Sequence, residues 1–351
     1  MFLILDIFIN ASVTKPKNNL QEALRISFTI TLCMMLGKIL NFDNPVYLAL
    51  YPTMLITKGR DFSWLAMSRT LAPSLISAAL AVFVSELFYG HPFIIWTISL
   101  LFFDQLRRRA DTPIKLAKMI LPCFHWVLMV IFSQSGHFDM PGMIRECFAA
   151  MVIAATVTKL MIILFPVPKL GKLPQFKPQS VTYGHRLVSL ALIGSGLGFL
   201  LVVDMLPATF CMVPVISAAI QFNRGTFIEL VEQRFITQIA GCAIAGVFIF
   251  LMSGHQSTLG FYALSLGSVI FILTSSMLST TGFTSGVHAD TLLATILPIQ
   301  LYMGNNSFGL DNTFLRAWQL FITLTILFIG YRLTISRDKH EQENHPNPRT
   351  E

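Results

Sequence analysis

Long apolar runs separated by short polar or charged interruptions make up most of this chain. The first run extends from about Glu22 to Leu40, and a shorter one follows from Pro45 to Thr57. Further runs lie near Thr70–Phe88, Pro92–Leu106, Ile114–Ser133 and Ile144–Phe165. After a proline- and lysine-rich stretch, Pro166 to Pro178, they resume at Arg186–Val203, Leu206–Gln221, Phe235–Met252, Leu259–Ser279, Ala289–Met303 and Phe314–Ile335. A helix needs about 20 apolar residues to cross a bilayer. The runs lack the sustained period-two alternation of a transmembrane barrel strand. The pattern predicts an all-α polytopic membrane protein with about twelve transmembrane helices.

The order of landmarks repeats. Arg25, Pro45, Pro52, Arg60 and Arg69 are answered by Arg186, Pro207, Pro214, Arg224 and Arg234, with the same seven-residue spacing between the prolines. Gly90-His91 returns as Gly254-His255, Ile120-Leu121-Pro122 as Ile296-Leu297-Pro298, and Arg145 as Arg316. An ordered series of this kind argues for two copies of one membrane unit. The expected organisation is a first repeat over 1–165, a cytoplasmic linker over 166–180, a second repeat over 181–336 and a disordered polar tail over 337–351. Met1 to Ile9 is apolar without a positive lead or cleavage site, which predicts a short interfacial segment.

Composition agrees: 54% of residues are hydrophobic and 12% charged, and the mean hydropathy is +0.66, whereas soluble domains carry about 25% charged residues. The net charge of +7 is spread between apolar runs, where it sets topology rather than binding nucleic acid. Lys58, Arg60, Arg107-Arg108-Arg109, the Lys169–Lys177 linker, Arg224 and the tail fall on one side, and Lys38, Arg145 and Arg316 on the other. That bias places both termini in the cytoplasm. An even number of spans per half then makes the repeats parallel. The connection from Ser279 to Asp290, lacking lysine and arginine, is the weak point of this scheme. The five cysteines fall singly inside apolar runs, without metal or disulfide spacing, and read as packing residues.

Apolar segments interrupted by proline at matching places in two halves point to a transport pathway. Tyr47, Tyr51, Pro52 and Thr53 surround the first such segment; Phe210, Pro214, Ser217 and Gln221 surround its counterpart. Ring faces with a few hydrogen-bonding groups suit an aromatic or amphipathic solute, although Tyr47 also fits an interfacial anchor. Arg145 and Arg316 defy the charge bias and are candidate substrate cations, while span-end arginines commonly snorkel to headgroups. Ionisable groups within spans make His125, His288 and Asp290 candidates for proton coupling, against an equally ordinary role in structural hydrogen bonds. Asp104 has helical ion-pair spacing to Arg107 and Arg108. No Walker loop, HExxH or serine elbow is present, so no enzyme activity, cofactor or metal is expected. Gly194-Ser195-Gly196-Leu197-Gly198 lies within an apolar run and reads as close helix packing.

Glu22-Ala23-Leu24-Arg25, the apolar helix after it, Asn44-Pro45-Val46-Tyr47-Leu48-Ala49-Leu50, Pro52 and the basic turn to Arg69 resemble the fusaric-acid-resistance-like family, which includes bacterial aromatic carboxylic acid exporters. His185-Arg186 to Arg234 resembles it again. Family members often carry a sizeable cytoplasmic domain, which the short linker here replaces. The resemblance implies a multi-pass inner-membrane exporter, often working with a periplasmic adaptor of the membrane-fusion type. The leading expectation is proton-driven efflux of small aromatic or anionic compounds; a passive anion channel and a non-transporting assembly subunit stay open, as does homo-oligomer formation.

Overall fold

The computed structural model describes residues 17–59, 61–136, 138–166, 178, 181–203, 206–221, 224–255, 258–280, 283–303 and 309–344. The apolar segment 1–9, Arg60, the linker apart from 166 and 178, and residues 345–351 of the tail lie outside the described residues.

Every regular element among the described residues is helical. In chain order they are α1 (Lys17–Ile39), α2 (Tyr47–Lys58), α3 (Trp64–Leu87), α4 (Pro92–Arg109), α5 (Pro113–Ser135) and α6 (Met140–Leu164). Then come α7 (Tyr183–Val203), a 3-10 helix (Leu206–Cys211), α8 (Met212–Ala219), α9 (Arg224–Leu251), α10 (Leu259–Ser279), α11 (Phe283–Tyr302) and α12 (Leu310–Asn344). Each apolar run seen in the sequence forms helix.

Seven helices among the described residues are long and apolar enough to cross a bilayer: α3, α5, α6, α7, α9, α10 and α12. Four of the other five fall short for identifiable reasons. At 1.5 Å per residue, the 12 residues of α2 reach about 18 Å, against about 30 Å of hydrocarbon. The 8-residue α8 is shorter still. Asp104 and three terminal arginines dilute α4, and Arg25, Lys38 and several hydroxyls dilute α1. Pro52, Pro73, Pro122 and Pro298 lie inside continuous helices, as bundles permit when neighbours satisfy the freed backbone groups. Pro207 instead falls in the 3-10 turn. α12 continues to Asn344, past Arg337 into the stretch expected to be disordered; the good helix formers Arg, Lys, Glu and Gln sustain it.

α5 is the central helix, with 83% of its apolar window buried against 28–50% for the other six. α3 packs most closely along it, with α8 and α4 next, and α3 packs on α5 as α9 packs on α11. Contacts between the first six helices and the rest come in matched form: α1 lies on α10 while α4 lies on α7, and α2 lies on α11 while α5 lies on α8. Polar groups tie several contacts. The Trp96 indole donates to Gly194 O at 2.8 Å and the Trp126 indole to Ser99 Oγ at 2.8 Å. Ser77 donates to Pro122 O and Ser189 to Ala219 O, both at 2.7 Å. The glycine-rich run of α7 serves packing: a Cβ on Gly198 would come within 3.2 Å of the Trp96 indole nitrogen, so small residues are needed there.

Candidate functional site

Among the described residues, three polar clusters bring the candidate side chains together. The first joins α2, α5 and α6. Tyr51 hydroxyl lies 2.6 Å from His125 Nε2 and 2.7 Å from Cys147 Sγ, and His125 Nδ1 lies 2.9 Å from Leu121 O. A nitrogen facing a carbonyl must carry the proton, so Nδ1 donates to Leu121 and Nε2 accepts from Tyr51. The Tyr51 oxygen in turn accepts from the Cys147 thiol. Tyr47, Tyr51 and His125 stack with centroids 5.7–5.8 Å apart. His125 and Tyr51 are fully buried. This is a satisfied chain for a neutral imidazole, with no charged group in it. Pro52 is buried one residue beyond Tyr51. Glu146, which the sequence did not single out, accepts from the backbone N–H groups of Asp43 and Asn44 at 2.9 Å each and from the Asn44 amide at 3.2 Å. It fixes the turn that feeds α2.

The second cluster joins α12, α11 and the 3-10 helix. Arg316 is 2% exposed. Its guanidinium stands 5.4 Å from the Phe210 ring centroid and within charge range of the Tyr302 hydroxyl, while Nε and Nη1 have no hydrogen-bond partner among the described residues. No carboxylate among the described residues pairs with it. Gln319, one turn on, is buried with both amide atoms unpartnered, and the Thr209 hydroxyl on the adjoining 3-10 helix is buried and unpartnered too. Pro214 is buried in α8 nearby in the chain. Phe210 meets Phe124 at 5.9 Å, and Phe124 meets His125 edge-on at 5.9 Å. A ring contact therefore links the two clusters. An unpaired guanidinium in an apolar interior is costly. Free donors, an aromatic face and an idle amide are groups whose chemistry suits an anion with a flat or apolar body.

The third cluster joins α2, α9 and α11. Arg234 Nη1 lies 3.1 Å from Asp290 Oδ1, and Gln233 Nε2 donates to Asp290 Oδ2 at 3.1 Å. Lys58, exposed at the end of α2, stands within charge range of both Asp290 and Arg234. His288 is buried two residues before Asp290. Asp290 and Tyr302 lie twelve residues apart on α11, about 18 Å along its axis, so the second and third clusters are well separated.

The sequence-derived candidates thus divide. Tyr47, Tyr51, Pro52 and His125 come together; so do Phe210 and Arg316; His288 and Asp290 share one end of α11. Arg145 is exposed on α6 and joins none of these clusters. Asp104 pairs with Arg108 at 2.9 Å as expected but is held chiefly by Arg186 of α7, at 2.7 and 2.6 Å through both carboxylate oxygens. Arg186 therefore clamps α7 to α4. Sequence reasoning missed Gln319, Tyr302, Thr209 and Gln233. Of these, Gln319 alone carried a local signal, as a polar residue one helical turn from Arg316 within an apolar run.

Residues 22–161 match the model of a family described as a protein of unknown function (DUF2955). No curated protein and no solved structure matches the chain. The family description names no activity, and the matched region spans α1 to α6, including the Tyr51–His125–Cys147 chain.

Proposed function

We propose that this protein is an inner-membrane carrier that exports small organic anions in exchange for protons, built from two parallel six-helix copies with both termini in the cytoplasm. The observation that carries the reading is Arg316: a buried guanidinium with two free donors, an aromatic face and no carboxylate partner among the described residues. Its missing counter-ion is supplied by substrate. The matched inter-half contacts, α1 on α10 with α4 on α7 and α2 on α11 with α5 on α8, support the two copies. The lysine and arginine bias supports the orientation. The fusaric-acid-resistance-like resemblance supports an aromatic acid among the substrates, and a periplasmic adaptor as partner.

Coupling rests on Asp290. As a carboxylate it neutralises Arg234 and draws Lys58 of the first half toward α11. Protonation cancels that charge, leaves two cations facing each other, and favours separation of α2 from α9 and α11. The proton site lies toward the cytoplasmic end of α11 and the anion site toward its outer end. This division suits exchange of one ion for the other across alternating states. His125, locked in a neutral chain, holds the ring wall between clusters.

Inverted vesicles carrying the full chain, with and without a pH gradient, test the reading through uptake of radiolabelled benzoate. Saturable, gradient-stimulated uptake that is lost in Arg316→Gln is expected. Uptake indifferent to the gradient removes proton coupling. Single-channel currents in a planar bilayer establish a channel instead, and no flux with adaptor capture alone establishes an assembly subunit.

A further inference from the structure

Between α9 and α12 runs an apolar groove of about 520 Å³, lined by Cys242, Gly246, Phe250, Leu310, Thr313 and Ala317 among others. That volume lies within the range of small-ligand sites. Its rim residues Val247, Phe250 and Phe314 are 60–69% exposed, on helices long and apolar enough to cross a bilayer, so the groove opens toward lipid. From Ile239 to Leu251 it follows α9 for about 18 Å. Gly246 keeps it open: a Cβ there would meet nothing nearer than Leu310 Cδ2 at 4.0 Å.

The inner wall of this groove adjoins Arg316, which precedes the lining residue Ala317 on α12. Cys242 lines the groove and packs with Cys211 and Leu320 in a small apolar cluster against Ala317. Cys211 and Cys242 both lie within charge range of Arg316. An apolar cleft open to the bilayer thus lies beside a buried cation that lacks a counter-ion among the described residues.

We propose that the preferred ligand is an amphipathic carboxylate with an alkyl chain, which enters sideways from the bilayer with its chain in the α9/α12 groove and its carboxylate on Arg316. This rests on the reading that Arg316 binds an anion. The groove walls offer almost no hydrogen-bonding surface, so a fully hydrated solute gains nothing there. An alkyl chain leaving lipid gains little from the groove as such, since one apolar surround replaces another. The groove therefore acts as a route and a shape filter, while the guanidinium supplies the attraction.

Equilibrium binding of radiolabelled tetradecanoate and of benzoate, to the full chain in nanodiscs with empty nanodiscs subtracted, tests this. Wild type is expected to bind both saturably. Gly246→Leu fills the groove, and is expected to weaken tetradecanoate by about tenfold or more while leaving benzoate unchanged. Arg316→Gln is expected to abolish both. Unchanged tetradecanoate binding in Gly246→Leu, or parallel loss of both ligands in it, overturns the lateral route. If wild type binds benzoate but not tetradecanoate, this inference fails and the anion reading survives. If it binds neither, the anion reading fails as well.

Discussion

Replacing Arg316 with methionine separates a ligand-binding arginine from a structural one, because the two roles predict opposite results. Methionine keeps much of the volume and removes the charge. If Arg316 belonged to a buried ion pair, its loss would strand a carboxylate and cost about 3–5 kcal/mol. Here no described carboxylate faces it. Attraction to the nearby Tyr302 hydroxyl is lost, worth no more than one charge-assisted hydrogen bond at about 1.5–3 kcal/mol. The Phe210 contact at 5.4 Å is worth about 1 kcal/mol more. Against these stands relief from desolvating an unpaired guanidinium, which amounts to several kcal/mol. The ligand-free variant is therefore expected to melt no lower than wild type. Ligand binding behaves differently. Two charge-assisted bonds at about 1.5–3 kcal/mol each correspond to an affinity loss of at least about a hundredfold. Thermal unfolding of the purified protein in detergent, followed by tryptophan fluorescence with and without excess benzoate, reads both quantities, since a bound ligand raises the melting temperature. A clear drop in the ligand-free melting temperature, with the benzoate-induced rise preserved, would refute the reasoning and make Arg316 a structural residue.

Three further outcomes follow from named contacts. Asp290→Asn keeps the hydrogen bond from Gln233 but removes the charge on which the proposed coupling rests, so benzoate exchange should persist while its acceleration by a pH gradient disappears in vesicle uptake. Tyr51→Phe leaves His125 Nε2 and the Cys147 thiol without their shared partner, which should destabilise the protein by about 1–3 kcal/mol in chemical unfolding while gradient sensitivity survives. Gly241→Ala drives a methyl group toward the α11 backbone, within 2.8 Å of Ala294 C and 3.0 Å of Thr295 N. Separation of α9 from α11 should then cut the yield of monodisperse protein in size-exclusion chromatography, whereas Gly260→Ala, which meets nothing within 4 Å, should not.

How much of this was written in local sequence differs from residue to residue. The helices were, because apolar runs bounded by Gly90, Gly136 and Gly254 mark their own ends: all three glycines have positive φ, the backbone state glycine adopts without steric penalty. The site was legible only in pieces. Phe210 and Arg316 were both picked out, but their meeting is set by how α12 packs on the 3-10 helix, across some hundred residues of chain. Arg145 and Arg316 look alike in sequence and differ in the fold, the one exposed and the other sealed. Arg186 finds Asp104 across 82 positions, a pairing that no helical spacing rule reaches. Proline misled in a physical way. Pro52 and Pro122 were read as breaks, yet both helices continue through them because the surrounding bundle absorbs the kink.

The crossed packing of the halves has a consequence for biogenesis. α1 leaves the ribosome early, yet its partner α10 is made more than two hundred residues later, and Gln300 reaches back 266 positions to the Met34 carbonyl. At translation rates of about 5–20 residues per second, α1 and α4 wait tens of seconds or less in the lipid with their docking faces bare. Insertion and assembly are therefore separate events in time. During that interval the docking face of α4 stays open to any other helix in the same membrane, and it closes only when its own α7 has been made.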